Sequence, residues 1–142
     1  FQVMYYSRNV KDQMQYPRKI YFIDNGFLKY LSLRPGESRM LENVVAVELK
    51  RRGYEFFYWK SGKGEEVDFL LMDKGEAAQL IQVSVDISQI DTREREVRSL
   101  IKGMKHFGLT DGLILTYESE EIIKHNGYKI EAKPVWKWLL EV

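Results

Sequence analysis

The chain has 142 residues, of which 44% are apolar and 30% are charged, so it is long enough for one domain with a core and short for two. Its 22 basic and 21 acidic residues leave a net charge of +1, which excludes the basic excess typical of a nucleic-acid-binding domain that works alone, so any DNA affinity has to come from a local patch or a larger assembly. The absence of cysteine excludes disulfides and thiolate metal sites and fits the reducing cytoplasm. No apolar run approaches the roughly 18 residues of a membrane span, and no signal peptide is visible.

The start of the chain is predicted to hold only short elements. Residues 1–16 have weak periodicity, and because the sequence begins at Phe1 in what reads as mid-domain, we interpret them as the remnant of an upstream linker or preceding domain. Residues 17–142 then form a single domain cut from a longer protein. Pro17 precedes a short β-type run, a brief helix that begins at Asp24 or Asn25, and a loop at Arg34–Ser38.

A longer helix follows at Arg39–Arg52, and Gly53 is predicted to end it. Its apolar residues recur at a period near 3.6 and define one buried stripe. Glu48 falls inside this stripe and Glu42 lies on its edge. Either carboxylate can therefore point at a sheet rather than at water.

Period-2 runs and helical stretches alternate along the rest of the chain. Strands are predicted at Tyr54–Trp59, Val67–Met72, Gln79–Val85, Gly112–Tyr117 and Tyr128–Ala132, and helices at Thr92–Phe107 and Val135–Leu140. The order helix, three strands, helix, strand indicates an α/β fold with a mixed central sheet of about 4–5 strands flanked by helices. That order is typical of the restriction-endonuclease-like core.

Polar side chains on two neighbouring strands carry the chemistry. Asp68 lies on one strand, and Gln82 and Ser84 lie two apart on the next, so they share a face. This pattern resembles the metal site of PD-(D/E)XK nucleases, with Gln82 where the family has its second acid and Ser84 where it has its lysine. A glutamate early in the helix and a glycine at its end are similar to archaeal Holliday-junction resolvases, which maps the first acid to Glu42.

Several short motifs in order resemble a wider family. They are Pro17 to Gly26, Leu41 to Val45, Tyr58 to Lys60, Glu66 to Phe69 and Pro134 to Leu140. Together they resemble the uncharacterised domain that lies C-terminal to the ATPase module of prokaryotic AAA-type ATPases. The resemblance implies a nuclease-like fold, a prokaryotic host and the protein's own N-terminal ATPase domain as partner. No G-x-x-x-x-G-K-[ST] loop occurs here, so this piece is not expected to bind ATP.

The residues predict a weakened hydrolytic site. Phosphodiester hydrolysis of this type uses Mg²⁺ or Mn²⁺, for which Asp68 offers a carboxylate and Gln82 an uncharged amide oxygen. Ser84 cannot supply the positive charge of a lysine, and losing one such group commonly lowers the rate by about 10²–10³. Lys60, at the end of a neighbouring strand, is a candidate substitute lysine. The candidate nucleic-acid-binding residues are Lys50, Arg51, Arg52, Lys60 and Lys63.

Plainer interpretations remain open for each residue. Asp68 can be an ordinary strand acid, Glu42 a helix N-terminal acid favoured by the dipole, and Gln82 with Ser84 a satisfied polar pair. His106 and His125 lack metal-type spacing. The first function hypothesis is a DNA-interacting, degenerate nuclease domain. The second is an inactive protein-interaction or regulatory module, whose partner is its ATPase, a cognate protein or a second copy; no membrane partner and no small-molecule chemistry is indicated.

Overall fold

The computed structural model describes residues 1–31 and 35–141 as five helices and eight strands. The helices are α1 (Val10–Gln15), α2 (Asn25–Leu31), α3 (Glu37–Arg51), α4 (Ile90–Phe107) and α5 (Val135–Leu140). The strands are β1 (Gln2–Val3), β2 (Lys19–Ile20), β3 (Glu55–Lys60), β4 (Glu66–Asp73), β5 (Glu76–Val83), β6 (Asp111–Thr116), β7 (Glu121–His125) and β8 (Tyr128–Pro134).

The central sheet is mixed and has six strands in the order β3-β4-β5-β6-β8-β7. The first three strands form an antiparallel meander, β5, β6 and β8 run parallel, and β7 returns antiparallel along β8. The predicted α/β class and mixed sheet are confirmed. The predicted count of about 4–5 strands was too low, because β7 joins the sheet as an edge strand.

The two faces of the sheet carry different helices. Leu113 and Leu115 of β6 point into a core that includes residues of α3 and α5, whereas Ile114 between them points into a second core beneath α4. Burial on both faces explains the continuous apolar run of this strand. The result is a helix–sheet–helix sandwich.

The helix ends agree with the sequence in some places and not in others. Gly53 and Gly108 adopt positive φ angles of 77° and 73° just past the ends of α3 and α4, a conformation that glycine accepts readily. The predicted loop at Arg34–Ser38 is corrected at its end, because Glu37 and Ser38 already belong to α3. Arg34 lies outside the described residues.

The N-terminal segment packs on the same domain. Val3 is buried with the α3 side of the core, β1 pairs with β2, and Tyr5 forms a parallel bridge with Tyr58 on β3. These contacts cover the outer edge of β3, which would otherwise leave unpaired backbone groups. The boundary predicted at residue 17 stays a prediction. No helix among the described residues is long and apolar enough to cross a membrane.

Candidate functional site

One lysine lies at the centre of three carboxylates where β4 begins. The ammonium nitrogen of Lys19 lies 3.0 Å from Glu42 Oε1, 2.6 Å from Glu66 Oε1 and 3.1 Å from Asp68 Oδ1. An ammonium has three protons, so each carboxylate can take one of them. We call Lys19, Glu42, Glu66 and Asp68 the ionic centre.

Three separate elements build the ionic centre. Lys19 comes from β2, Glu42 from the second turn of α3, and Glu66 and Asp68 from β4, where they are two residues apart. The segment after β2 is attached to α3 by Asn43, whose amide accepts from the Phe22 N–H at 2.8 Å and donates to the Phe22 carbonyl at 2.7 Å. This attachment holds Lys19 over the start of β4.

Charge controls the protonation of the ionic centre. Burial alone would lower the pKa of Lys19, but Asp68, Glu42 and Glu66 outweigh it and hold that pKa above its usual value. Burial raises the pKa of Asp68 to about 7, Glu42 adds to the rise, and Lys19 opposes it. Burial raises the pKa of the Tyr21 hydroxyl most, and the nearby Glu42 carboxylate raises it further. The hydroxyl therefore stays protonated and donates a hydrogen bond to Glu42.

Asp68 and Gln82 lie side by side on β4 and β5. Asp68 accepts through Oδ2 from the Val83 N–H at 3.0 Å, and the Asp68 N–H donates to Gln82 Oε1 at 3.2 Å. Gln82 Nε2 in turn donates to Glu96 on α4 at 2.7 Å. The Asp68 N–H needs an acceptor and the Glu96 carboxylate needs a donor, and the Gln82 amide supplies both. A glutamate at position 82 would instead face the Glu96 carboxylate.

Ser84 continues past the end of β5. Its N–H donates to the Leu115 carbonyl at 3.0 Å, and its hydroxyl donates to the Asp86 carbonyl at 3.2 Å. The side chain is buried and lines the same cleft as Gln82. The sequence expectation that these two residues share a face therefore agrees with the geometry.

The predicted substitute lysine, Lys60, reaches only the rim of the ionic centre. Its ammonium lies 2.9 Å from Glu66 Oε2, on the opposite oxygen from Lys19. It is Lys19 that contacts Asp68 and Glu42. The lysine nearest the candidate site thus comes from β2.

Two of the predicted nucleic-acid-binding residues, Arg51 and Arg52, form ion pairs away from the ionic centre. Arg51 and Arg52 bind Glu48, and Arg52 also donates to the Trp138 carbonyl, so the end of α3 is attached to α5. The hydrogen bonds from Arg51 and then Arg52 together lower the pKa of Glu48 to about 2 in spite of burial. Glu48 is therefore an ion-pair residue, while Glu42 joins the ionic centre.

An open cleft of about 510 Å³ leads to the ionic centre. Glu42, Asp68 and Gln82 line it together with Lys63, one of the predicted nucleic-acid-binding residues. Lys50 does not line this cleft. Among residues 1–31 and 35–141, no group of three or more His, Asp or Glu side chains has a geometry that could hold a metal ion.

The donor set still suits a hard cation in part. Glu42 and Asp68 offer carboxylate oxygens, which Mg²⁺ and Mn²⁺ prefer. The Gln82 oxygen is already bonded to the Asp68 N–H, and the Lys19 ammonium lies between the two carboxylates. A cation held by Asp68 and Glu42 would therefore require Lys19 to shift toward Glu66.

Four residues of this site were not predicted from the sequence. Glu66 could have been found, because it lies two residues before Asp68 and so shares its face of β4. Glu96 could also have been found as an acid whose i+4 and i+7 positions, Leu100 and Gly103, are buried on α4. Lys19 and Tyr21 carry no local signal, since Lys19 is 49 residues from Asp68.

Comparison with known proteins identifies the family of this chain and a solved structure with a similar fold. The family described as "Domain of unknown function (DUF4143)" matches residues 37–138. The "Uncharacterized protein MJ1544" of Methanocaldococcus jannaschii is 36% identical over 131 residues, which cover 86% of this chain and 29% of that protein.

A solved assembly contains a similar fold. It is the "Refined half-complex from tetradecameric assembly of Thermococcus gammatolerans McrB AAA+ hexamers with bound McrC", with a TM-score of 0.50 at 10% identity, over 69% of this chain and 28% of that chain. At such low identity the likeness concerns the fold alone. The chain spans less than a third of the length of either relative, at 29% and 28%.

Proposed function

This chain belongs to the DUF4143 family, and from that premise we propose that it is a nuclease-like domain that contacts nucleic acid within a longer, cytoplasmic AAA-type ATPase. The proposed domain is residues 17–142, with a restriction-endonuclease-like core formed by α3, β3, β4, β5, α4 and β6. Support for the ATPase setting comes from the greater length of both relatives and from the fold likeness to a chain of an assembly that contains AAA+ hexamers.

The observation that carries the proposal is the contact of Lys19 with Asp68 and Glu42. A phosphodiesterase centre needs acidic residues and a nearby positive charge that stabilises the developing charge on the phosphate. Ser84 cannot supply this charge, whereas the Lys19 ammonium contacts both acids and would stay beside them on Glu66 if a cation took its place between Asp68 and Glu42. We assign to Lys19 the charge-stabilising role of the lysine that Ser84 replaces.

Other residues of the site would bind the metal ion and orient its ligands. Asp68 and Glu42 would hold Mg²⁺ or Mn²⁺, which would supply further charge stabilisation at the phosphate. Tyr21 donates to Glu42 and orients its carboxylate. Gln82 orients the backbone of Asp68 and contributes no charge, so the proposed activity is weak.

A cleavage assay tests this proposal on plasmid, single-stranded and branched DNA with Mg²⁺ or Mn²⁺. We expect slow cutting by the parent chain and a loss of about 10²–10³ in rate for Asp68→Asn, since Asp68 is a proposed ligand. A Lys124→Met variant, which removes an exposed lysine on β7, should cut like the parent. A restored variant must carry Glu96→Gln beside Gln82→Glu and Ser84→Lys, because Glu96 would otherwise repel the new carboxylate.

The outcomes separate the hypotheses. Cutting that Asp68→Asn removes would establish a working nuclease centre that contains Asp68. Cutting only by the restored variant would indicate an intact scaffold whose role is binding. Failure to bind any DNA form even at low salt would overturn the proposal, because phosphate contacts are strongest there.

A second candidate function, a protein-interaction module, is favoured by one exposed apolar surface. Ile23, Phe27, Tyr30 and Leu31 are all more than half exposed, at 84%, 60%, 86% and 57%. Phe27, Tyr30 and Leu31 are spaced three and four apart and so share one face of α2, and an exposed apolar face is typical of interaction sites. We call these four residues the α2 patch and expect the ATPase module of the longer protein to cover it.

Binding of a separately produced ATPase module tests the α2 patch. Phe27→Ser with Tyr30→Ser should weaken this binding by at least about tenfold, since hot-spot aromatic residues carry much of an interface's free energy. Ile122→Ser, which changes an exposed residue of β7, is the matched control. Self-association in analytical ultracentrifugation that the same variant abolishes would instead identify a second copy as the occupant.

A further inference from the structure

A second cavity, of about 770 Å³, lies beside the turn that joins β3 to β4. We call it the hairpin pocket. Its charged lining residues are all cationic: Arg8, Lys60, Lys63, Lys102 and Lys105. Because the whole chain has a net charge of only +1, this pocket concentrates positive charge far above the average of the surface.

The cations of the hairpin pocket differ in what holds them. Lys60 pairs with Glu66 and Lys102 pairs with Glu65, so an ion pair already neutralises each of these two lysines. Arg8, Lys63 and Lys105 have no ion-pair partner among residues 1–31 and 35–141. These three exposed cations have no carboxylate to compete with an anionic ligand, although the Lys105 ammonium also lies 6.0 Å from the centroid of the Tyr128 ring.

Aromatic rings form the other part of the lining. His106 is exposed on the last turn of α4 and lies over the buried Trp59, with ring centroids 5.2 Å apart and planes inclined by 33°. Tyr5 and Tyr6, both partly buried, line the pocket from the N-terminal segment. Ring contact with Trp59 holds the exposed His106 ring in place at the wall of the pocket. Cations interleaved with aromatic rings are typical of surfaces that bind unpaired nucleic-acid strands.

The hairpin pocket joins the cleft of the ionic centre. Lys63 lines both cavities, and the pairs Lys60–Glu66 and Lys102–Glu65 lie along the border between them. A single small anion would use only one cavity, whereas a chain of phosphates can pass from one to the other across Lys63.

We propose that the hairpin pocket binds an unpaired strand of nucleic acid, with its phosphates on Arg8, Lys63 and Lys105 and a base against His106. The inference rests on the proposed function, because it names the form of nucleic acid that reaches the ionic centre. A duplex keeps its bases stacked on one another, so it cannot place a base face against His106. The pocket therefore selects single strands over duplexes.

Fluorescence anisotropy with a labelled oligothymidylate and the matching duplex tests the inference across a salt series. The parent should bind the single strand more tightly than the duplex. Each phosphate contact contributes about 0.7 to the salt slope for single strands, so Arg8→Ala/Lys63→Ala/Lys105→Ala should lower the slope by about 2. His106→Ala should weaken binding about tenfold with the slope unchanged, since it removes stacking and no charge.

The matched control removes three exposed lysines elsewhere, as Lys29→Ala/Lys124→Ala/Lys129→Ala, and should retain the parent slope. Equal salt slopes for the two triple variants would overturn the hairpin pocket. Equal affinity for duplex and single strand, or no effect of His106→Ala, would overturn the base contact. Either result leaves the proposed function standing if DNA binding persists, whereas no binding of any form overturns both.

Discussion

Lys19→Met is expected to lower the free energy of unfolding by about 3 kcal/mol at pH 7, near the lower end of the range for removing one partner of a buried ion pair. The lysine side chain is 22% exposed, and the carboxylates of Glu42 and Asp68 are 20% and 12% exposed, so water cannot replace the lost ammonium fully. Urea unfolding in metal-free buffer measures the change. Lys124→Met, on the exposed β7 edge, should stay within about 0.5 kcal/mol of the parent.

The destabilisation should depend on pH with a definite sign. The folded pKa of Asp68 is already raised to about 7, and removing Lys19 takes away a group that lowers it. A raised carboxyl pKa means that the folded state binds more protons than the unfolded state above about pH 4, so stability falls as pH rises. The variant should therefore recover part of its stability between pH 7 and pH 4, and Asp68→Asn should restore part of it at pH 7.

Two results would contradict this account. A Lys19→Met protein as stable as the parent at pH 7 would mean that the lysine does not lie among the three carboxylates. Loss of stability on acidification from pH 7 to pH 4, greater in the variant than in the parent, would contradict the sign worked out for Asp68.

Asn43→Leu is expected to lower the free energy of unfolding by about 2–4 kcal/mol, because it leaves the N–H and carbonyl of Phe22 without partners. Asn43 is buried, and its amide also donates to Asn25 at 2.8 Å, so leucine matches its size but none of its bonds. Gln79→Leu likewise replaces an amide side chain by leucine, but at an exposed position of β5, and should have little effect.

Asn43 also has a positioning role that can be separated from stability. It attaches the segment that carries Lys19, so the two substitutions should not be additive. A double-mutant cycle with Lys19→Met should give a coupling free energy of about 1 kcal/mol or more. Hydrogen exchange at the Phe22 amide should speed up in Asn43→Leu alone, and full additivity with slow exchange would contradict the attachment.

The main elements could be predicted because their residues follow the period of the element they form. The apolar stripe of α3 and the run Leu113–Leu115 indicated which faces are buried, and the structure buries them. The strand β7 was missed because it is short, lies at an edge and is exposed at three of its five positions. Edge strands receive little burial, so their pattern is weak.

Part of the candidate site followed from the sequence for a related reason. The pattern that resembles PD-(D/E)XK nucleases put Asp68 and Gln82 on neighbouring strands, whereas their pairing includes a register shift between Leu71 and Met72 that cannot be read from the turn. The bonds of the Gln82 amide could not be read in this way. They depend on Glu96, which α4 brings over the sheet.

The sequence alone determined the α/β class, the order of the longer elements and the acidic strand that carries Asp68, because each of these is encoded by residues a few positions apart. Tertiary structure decided which lysine meets Asp68. Lys19 is distant in sequence and reaches the site because β2 pairs with β1 and Asn43 attaches the following segment to α3. Three carboxylates cannot stay charged and close together without a cation, and only the packing of separate elements could bring one there.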